Sequence, residues 1–313
     1  MGKNFADRLA LAIAEKNNPT VMGLDPLPSY LPESMIREAK QDDPEHWLAL
    51  AFERFNRALI DAVADIVPAV KPQAAYYEQF GADGMRAFRH TVAYAKERGL
   101  IVIADAKRND IGSTAACYAE AFLGVKDDTE SGFHSVQADA LTVNGYLGID
   151  GIDPFLKMVD EYDRGIFVLV RTSNPSAGDL QDLKLEDGRT VYEAMADLVA
   201  DWGEAAVGES GLSSVGAVVG ATWPHQAEEL RRRMPRAFFL IPGYGAQGGG
   251  ADDAVAGFDR EGRGGIVNAS RSLMLAYKKH QIDHEKFAEA TRMEAEAMRD
   301  NLNEALVRKL AKR

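Results

Sequence analysis

Eight short runs of apolar and β-branched residues recur along the chain, and they constrain its fold more than any other feature. Most are apolar throughout rather than alternating, which is typical of strands buried on both faces. Amphipathic stretches lie between them, for example at 47–64, 84–98 and 192–207. The eight predicted strands are 20–24, 66–70, 100–104, 140–143, 166–170, 215–220, 237–241 and 265–268. Because strands that alternate with helices form parallel sheets, eight such units predict an α/β fold, a closed (β/α)8 TIM barrel.

The segments at the two ends of the chain lie outside this repeat, and each predicts an extra helix. Phe5, Leu9 and Ile13 share one helical face, which suits a helix packed on or under the barrel. Four apolar residues near the C-terminus share a face in the same way: Met298, Leu302, Leu306 and Leu310. No linker or change of composition marks a second domain. We therefore expect one barrel domain over 1–313, with its core at about 20–273.

The charge and composition of the chain limit its partners. With a formal net charge of −12 over 313 residues, it should repel nucleic acid and anionic membranes, so an anionic substrate needs locally placed cations. The basic run Arg231-Arg232-Arg233 falls within a predicted helix, and we expect it to form a solvated face. The single cysteine, Cys117, fits a reducing compartment. No apolar run is long enough to span a membrane or to resemble a signal peptide, so a cytoplasmic protein is expected.

Polar residues follow almost every predicted strand. In a β/α barrel the carboxyl ends of all strands meet at one face, and barrel enzymes carry their active sites there. The residues at these ends are Asp25, Lys71, Asp105-Ala-Lys107-Arg-Asn-Asp110, Asn144, Arg171-Thr172-Ser173-Asn174, the segment 242–247 and Asn268-Ala-Ser270-Arg271. The sequence thus predicts a ring of polar side chains above an apolar cylinder.

The third strand carries the most informative of these residues. Asp105 and Lys107 are two apart, so on an extended chain both side chains point to the same side. Lys71 enters from the neighbouring strand, and oppositely charged neighbours favour each other's ionised forms. The alternative is a buried network of ion pairs without chemistry. Such pairs are costly to desolvate and contribute little stability, so a functional cluster is favoured.

A glycine pattern, Gly243-x-Gly245-x-x-Gly248, follows the seventh predicted strand. It matches a dinucleotide-binding fingerprint, but that fingerprint belongs to a first βαβ unit, so we reject this interpretation. Barrel enzymes often bind phosphate in the loops after strands seven and eight, and Gln247 and Arg271 suit a phosphate dianion there. The stretch 248–265 predicts a lid over the site or, in its distal part, a flexible surface insertion.

Together these motifs resemble those of the orotidine 5′-phosphate decarboxylases. The set of Lys71 with Asp105-x-Lys107-x-x-Asp110-Ile-Gly-Ser-Thr carries the likeness, whereas Asp-x-Lys-x-x-Asp alone is shared with a wider group of sugar-phosphate barrel enzymes. The stretches DAKRNDIGSTA, VRTSNPSA and PGYGAQGG are similar to a bacterial subgroup with longer loops. The resemblance runs from about 21 to 273, although the longer segments 123–139 and 176–190 depart from the compact members.

The resemblance implies removal of CO₂ from orotidine 5′-phosphate to give uridine 5′-phosphate, without metal or organic cofactor. It implies that Lys107 protonates C6 of the pyrimidine, that Asp105 lies beside the departing CO₂, and that Lys71 is hydrogen-bonded to Asp105 and the ribose. It also implies a homodimer in which Asp110 and Thr114 reach the partner's site. A fixed ammonium suits this chemistry, because the electrons left at C6 have no adjacent carbonyl to accept them.

The same resemblance implies the substrate contacts. Asp25 is expected to hold a ribose hydroxyl, and Ser173 is expected to read the pyrimidine edge. Gln247 and Arg271 are expected to bind the phosphate. Asn144 is a further candidate for substrate binding that matches the family less closely.

Three other functions stay open from the residues. A magnesium-dependent sugar-phosphate decarboxylase or synthase of the same barrel group shares Asp-x-Lys-x-x-Asp, although the ammonium of Lys71 would compete with the cation. A Schiff-base aldolase would use Lys71 or Lys107 as its nucleophile. A non-catalytic nucleotide-binding barrel would bind uridylate without turnover. The six histidines show no metal-ligand spacing, so we expect no metal site.

Overall fold

The computed structural model describes residues 4–125, 127–128, 133–245 and 248–312. Its central feature is a closed barrel of eight parallel strands. The strands are β1 (Thr20–Leu24), β2 (Ala69–Pro72), β3 (Ile101–Arg108), β4 (Ala140–Val143), β5 (Gly165–Arg171), β6 (Ser213–Val219), β7 (Ala237–Ile241) and β8 (Gly265–Ala269). Each strand pairs with the strands before and after it, and β8 pairs with β1. Between β3 and β4, residues 127–128 and 133–134 form a separate small antiparallel pair.

Every predicted strand overlaps an observed one, and β1, β4 and β7 have the predicted bounds. Strand β3 runs four residues beyond its predicted end, to Arg108, and β2 begins at Ala69 rather than at Ile66. Ile66 and Val67 are buried, but their N–H groups donate to the carbonyl of Val63 and so continue the preceding helix end. An apolar run alone therefore does not show where a helix gives way to a strand.

Helices surround the barrel and alternate with its strands. They are α1 (Phe5–Lys16), α2 (Glu33–Asp42), α3 (Trp47–Val63), α4 (Ala75–Glu78), α5 (Gly81–Glu97), α6 (Gly112–Leu123), α7 (Ile149–Tyr162), α8 (Gly178–Gln181), α9 (Val191–Trp202), α10 (Pro224–Arg233), α11 (Ala251–Ala254), α12 (Arg271–Met274), α13 (Ala276–His280) and α14 (Phe287–Ala311). The three predicted amphipathic stretches correspond to α3, α5 and α9, each with one buried face. The predicted TIM barrel with extra terminal helices is confirmed.

Helix α1 closes the amino-terminal end of the barrel. Phe5 and Leu9 are buried among side chains from the barrel interior. The Phe5 ring meets that of Phe167 edge to face, with centroids 5.9 Å apart. Gly165 makes room for this contact, since a Cβ there would lie 2.1 Å from the Phe5 ring. Among the described residues, this end is filled with apolar side chains, and the cavity that a ligand can enter lies at the carboxyl ends of the strands.

Helix α14 is the extra helix at the C-terminus. It packs on α3 and on α11 to α13, outside the barrel. Met298 and Leu302 are buried in the main core, as their spacing predicts, whereas Leu310 near the helix end is 39% exposed. None of the helices among the described residues combines the length and apolarity needed to cross a membrane.

The prediction that Arg231 is solvated is wrong. Its guanidinium is buried 3.8 Å from the centroid of the Phe239 ring. It donates hydrogen bonds to the backbone carbonyls of Gly257, Ala237 and Gly264. Arg231 therefore ties α10 to the chain around β7 and β8, a use of arginine that charge patterning alone does not reveal.

Most of the stretch 248–265 is a packed part of the barrel wall rather than a lid or a flexible insertion. It contains α11 and a 3-10 turn, Val255–Gly257. Ala254, Val255 and Phe258 are each at most 2% exposed and belong to the main core. Small apolar residues between the glycines produce this packing, although the glycine content of the stretch suggested mobility.

Candidate active site

The carboxyl ends of the strands surround a cavity of about 640 Å³. Apolar side chains from the barrel interior, Leu169, Val218 and Leu240, form part of its lining, and the rest is largely polar. Six of the predicted site residues line it, namely Asp25, Lys71, Asp105, Lys107, Ser173 and Arg271. The barrel thus brings together residues that lie up to 246 positions apart in the sequence.

Asp105 lies at the centre of a cluster of hydrogen-bond donors. Its Oδ2 accepts a hydrogen bond from Lys71 Nζ at 2.7 Å, and its Oδ1 accepts one from Lys107 Nζ at 2.5 Å. The Thr142 hydroxyl also donates to Oδ1, at 2.8 Å. Asp105 and Lys71 are buried, whereas the Lys107 side chain is 45% exposed. Lys107 is therefore the member of this cluster that a ligand in the cavity reaches most readily.

The charges of the cluster reinforce each other. Burial alone would raise the pKa of Asp105, but the ammonium groups of Lys71 and Lys107 outweigh it and hold that pKa well below its usual range. Burial likewise opposes a charge on Lys71, but Asp105 and then Asp25 raise its pKa above the ordinary lysine value. Asp105 and Lys71 therefore stay ionised at neutral pH.

The backbone at Lys107 is left-handed, with φ of +50°, and not extended as the sequence analysis assumed. Its N–H donates to the Thr142 hydroxyl at 3.0 Å, and the register of β3 against β4 shifts between Ala104 and Arg108. Such a conformation costs a non-glycine residue of order 1–3 kcal/mol and persists only where its surroundings hold it. The Lys107 and Asp105 side chains meet as expected, but they do so through a bulge.

Asp25 and Asn268 lie on the neighbouring strand ends of β1 and β8 and line the same cavity. In the part of the chain that the structure describes, Oδ1 of each side chain is buried without a hydrogen-bond partner. Buried acceptors without donors are costly and rare in folded proteins. Their position therefore favours a ligand that brings hydroxyl groups to this side of the cavity.

Ser173 and Arg271 lie on other parts of the cavity lining. Ser173 follows β5, and Arg271 is the first residue of α12, directly after β8. Arg271 is exposed, so it adds a positive charge where an incoming anion first meets the site. Gln247, predicted to bind phosphate with it, lies outside the described residues.

Asp110, Thr114 and Asn144 are not among the described residues that line the cavity. Asp110 accepts a hydrogen bond from the N–H of Ile111, and Thr114 is exposed on the first turn of α6. The Asn144 side chain accepts from the N–H of Tyr146 at 3.0 Å and so shapes the loop after β4. Within this one chain, these three predicted site residues are not brought to the cluster.

Several lining residues were not predicted as ligand contacts. Asn268 was placed at the end of its strand but given no ligand contact, and Gln73, which directly follows β2, obeys the same strand-end rule. Thr142 lies inside an apolar run, and Gln181 comes from the longer segment after β5, so no sequence signal marks either one. Within the described residues, no group of three or more histidine, cysteine or carboxylate side chains is arranged to hold a metal ion.

The fold and the site together define a β/α-barrel enzyme with its charged groups at the carboxyl ends of the strands. The model of the Orotidine 5′-phosphate decarboxylase / HUMPS family matches residues 30–282. The chain therefore belongs to this family.

Individual relatives agree with the family assignment. An orotidine 5′-phosphate decarboxylase from Rhodopirellula baltica is 44% identical over 302 residues, covering 95% of this chain and 98% of the relative. One from Clostridium acetobutylicum is 40% identical over 300 residues, covering 96% and 99%. A solved structure from Toxoplasma gondii is assigned as an orotidine-monophosphate decarboxylase. The match covers 99% of this chain and 98% of the Toxoplasma chain. Its TM-score is 0.79, at 29% identity.

Proposed function

We propose that this protein removes CO₂ from orotidine 5′-phosphate to give uridine 5′-phosphate, a step of pyrimidine nucleotide synthesis. The observation that carries the proposal is the Lys71–Asp105–Lys107 cluster beside the cavity. The volume of about 640 Å³ suits a nucleotide, since small-molecule sites span roughly 300–1,000 Å³. Membership of the family and the names of the relatives support the same reaction.

In this proposal Lys107 is the proton donor. Departure of CO₂ breaks the bond from C6 to the carboxyl carbon and leaves the electron pair on C6. An ammonium fixed beside that atom stabilises the developing charge and then donates its proton to it. The hydrogen bond from Lys107 to Asp105 holds the ammonium in place, and Lys71 holds Asp105. In this mechanism the Lys107 ammonium itself stabilises the electron pair left by CO₂ and supplies the proton, so no metal or organic cofactor takes part in the proposed reaction.

The remaining parts of the substrate would be bound around this cluster. Asp25 and Asn268, whose buried Oδ1 atoms have no hydrogen-bond partner among the described residues, suit the ribose hydroxyls. Ser173 would contact the pyrimidine edge, and Arg271 with Gln247 would bind the phosphate. Binding energy from the phosphate, far from C6, can then serve to orient the ring for reaction.

We also propose a homodimer in which Asp110 and Thr114 reach the partner's cavity. Apolar side chains on the loops after β3 and β4 and at the start of α7 are exposed, at 54% for Ile111, 73% for Tyr146 and 49% for Ile149. The loop after β3 lies against the start of α7, since a Cβ on Gly151 would contact both Asn109 and the Asp110 carbonyl. Exposed apolar patches of this kind mark protein contacts.

The magnesium-dependent alternative is less well supported. Both carboxylate oxygens of Asp105 already accept hydrogen bonds from ammonium groups. A divalent cation at Asp105 would have to displace Lys71 or Lys107, and it would then lie against the remaining ammonium.

The test is the ultraviolet absorbance of orotidine 5′-phosphate mixed with the purified protein, with and without excess EDTA. Rapid loss of the orotidylate signal, formation of uridylate and insensitivity to EDTA are expected. Loss that EDTA abolishes would favour the magnesium-dependent chemistry. No loss from folded protein that still binds uridylate would favour a non-catalytic nucleotide-binding barrel.

A further inference from the structure

Arg171, the last residue of β5, is a fully buried charge that the proposed chemistry does not use. Its guanidinium lies 4.5 Å from the centroid of the Trp223 ring. It donates hydrogen bonds to Oε1 of Gln181 at 3.2 Å and to Oε1 of Gln226 at 3.4 Å, and it pairs with Asp182 at 3.2 Å. A buried charge is costly and contributes little stability, so its presence beside the cavity calls for another reason.

The contacts of Gln181 fix the orientation of its amide group. Its Oε1 accepts hydrogen bonds from the Arg171 guanidinium and from the N–H of Thr172, at 3.0 Å. Both of those groups can only donate, so the amide oxygen must face them and Nε2 must point the other way. Nε2 then donates to the Thr172 hydroxyl at 2.8 Å.

The order of donors and acceptors that Arg171 sets at Gln181 continues through Thr172 to Asn174, at the cavity. The Thr172 hydroxyl accepts from Gln181 and donates its own proton to Oδ1 of Asn174, at 2.6 Å. The Asn174 amide nitrogen donates one N–H to the Ser176 hydroxyl at 3.3 Å. The groups left over are N–H donors, namely the second N–H of Gln181 Nε2 and the second N–H of Asn174 Nδ2. Gln181, Thr172 and Asn174 all line the cavity, whereas Arg171 is not among the described residues that do. This wall therefore offers donors to a ligand.

We propose that Gln181 and Arg171 determine base specificity by setting the direction of this hydrogen-bond chain. A wall of donors suits a pyrimidine-2,4-dione, whose ring carries carbonyl acceptors, and disfavours a cytosine-type ring, whose C4 carries an amino donor. Gln181 belongs to the wall, and Arg171 is a positioning residue that acts through it. The inference takes its substrate class from the proposed decarboxylase function.

The sharpest test is Gln181→Glu, which keeps the shape of the side chain. One carboxylate oxygen still accepts from Arg171 and from the Thr172 N–H. The other oxygen cannot donate, so the Thr172 hydroxyl must turn towards it, and Asn174 must then turn its amide to donate to Thr172. Acceptors replace donors along the wall. The preference for uridine 5′-phosphate over cytidine 5′-phosphate should fall by about tenfold.

The preference is measured as the ratio of the two inhibition constants against orotidylate turnover and, independently, as the ratio of the two dissociation constants by calorimetry. A ratio of two ligands on one protein does not depend on the fraction that is folded. Arg171→Met, which releases the Gln181 amide to adopt either orientation, should lower the ratio by a smaller factor.

The matched control is Gln226→Glu, which places the same negative charge against the same guanidinium. Gln226 accepts a hydrogen bond from Nε of Arg171, and it is not part of the hydrogen-bond chain that runs from Arg171 through Gln181 to Thr172. In Gln226→Glu, the preference for uridine 5′-phosphate over cytidine 5′-phosphate should match that of the unmodified protein. An equal fall in the control would show a general charge effect and overturn the inference.

The outcomes separate this inference from the proposed function. Orotidylate turnover with an unchanged ratio in Gln181→Glu overturns the inference and leaves the decarboxylase proposal intact. No turnover by the unmodified protein, with a calorimetric ratio that falls in Gln181→Glu, overturns the decarboxylase proposal and supports the inference. Failure of both nucleotides to bind overturns both.

Discussion

At the scale of a single residue, burial of the Asp105 carboxylate is unfavourable, but the buried carboxylate positions the Lys107 ammonium at the cavity. A buried carboxylate is unfavourable alone, yet two ammonium groups and one hydroxyl occupy its oxygens. The same contacts leave Lys107 half-exposed at the cavity with its charge held in place. The cost of burying Asp105 and Lys71 thus produces a preorganised charge rather than net stability.

The cluster makes the stability of the protein depend on pH only at the extremes. The pKa of Asp105 is lowered from 3.8, so its contribution is present above 3.8 and is lost as the pH falls through the folded value. The pKa of Lys71 is raised from 10.5, so its contribution is present below 10.5 and is lost as the pH rises through the folded value. Carbon NMR of the Asp105 carboxyl, assigned by its loss in Asp105→Asn, should show no titration from pH 8 down to 4. A midpoint at or above 3.8 would contradict this account.

At the scale of elements, the bulge at the end of β3 depends on its neighbour β4. The Thr142 hydroxyl accepts from the Lys107 N–H and donates to Asp105, so one side chain holds both the left-handed backbone and the carboxylate. Strand β4 contains no charged residue, and Thr142 is the one polar residue among its four. The Thr142 hydroxyl reaches the site because β4 pairs with β3.

Replacing this hydroxyl tests the role of the bulge. Thr142→Val keeps the side-chain shape and leaves the Lys107 N–H unpaired, so the free energy of unfolding should fall by about 1–3 kcal/mol. Because Lys107 then loses its fixed position, kcat for orotidylate should fall by about tenfold or more while KM changes less. Thr291→Val, which removes a buried hydroxyl that donates to the Leu273 carbonyl, is the control and should lower stability without lowering kcat. Equal kcat values in the two variants would argue against a role for the bulge.

The elements also show how far the sequence leads. The strands were predictable because both their faces are buried, and the Asp105 cluster was predictable because charged residues at strand ends must converge. The bulge was not, because it depends on a hydroxyl that only β4 brings close. Arg231 was misjudged because its partners are backbone carbonyls, which leave no mark in the sequence. Gln181 was missed because its segment after β5 is ordered by contacts with Arg171.

At the scale of the whole molecule, the two ends of the barrel differ. Helix α1 fills one end with apolar side chains, and the other end holds the charged cavity. Asp110, in the loop after β3, and Thr114, in the first turn of α6, lie near exposed apolar side chains such as Ile111, but neither is among the described residues that line the cavity of their own chain. The proposed two-fold assembly through this surface would give Asp110 and Thr114 a place in the partner's site, although they do not line the described cavity of their own chain.

Hybrid dimers test this assembly. Lys107→Ala and Asp110→Ala should each be nearly inactive alone. If Asp110 acts in the partner's site, a hybrid dimer contains one complete site and one that lacks both residues. Random mixing in equal amounts should therefore restore about a quarter of the original activity. No recovery despite demonstrated subunit exchange would place Asp110 in the site of its own chain or outside both.

The central claim is that the Lys107 ammonium, held by Asp105, stabilises the charge at C6 and protonates it. The most direct measurement compares orotidylate turnover and uridylate binding in the unmodified protein and in Lys107→Ala. Turnover should fall by about 10²–10⁴-fold or more, because a positioned acid and its charge are both removed. The dissociation constant for uridylate should change far less, since ribose, base and phosphate contacts remain. Near-normal turnover in Lys107→Ala would contradict the assignment of Lys107 as the proton donor.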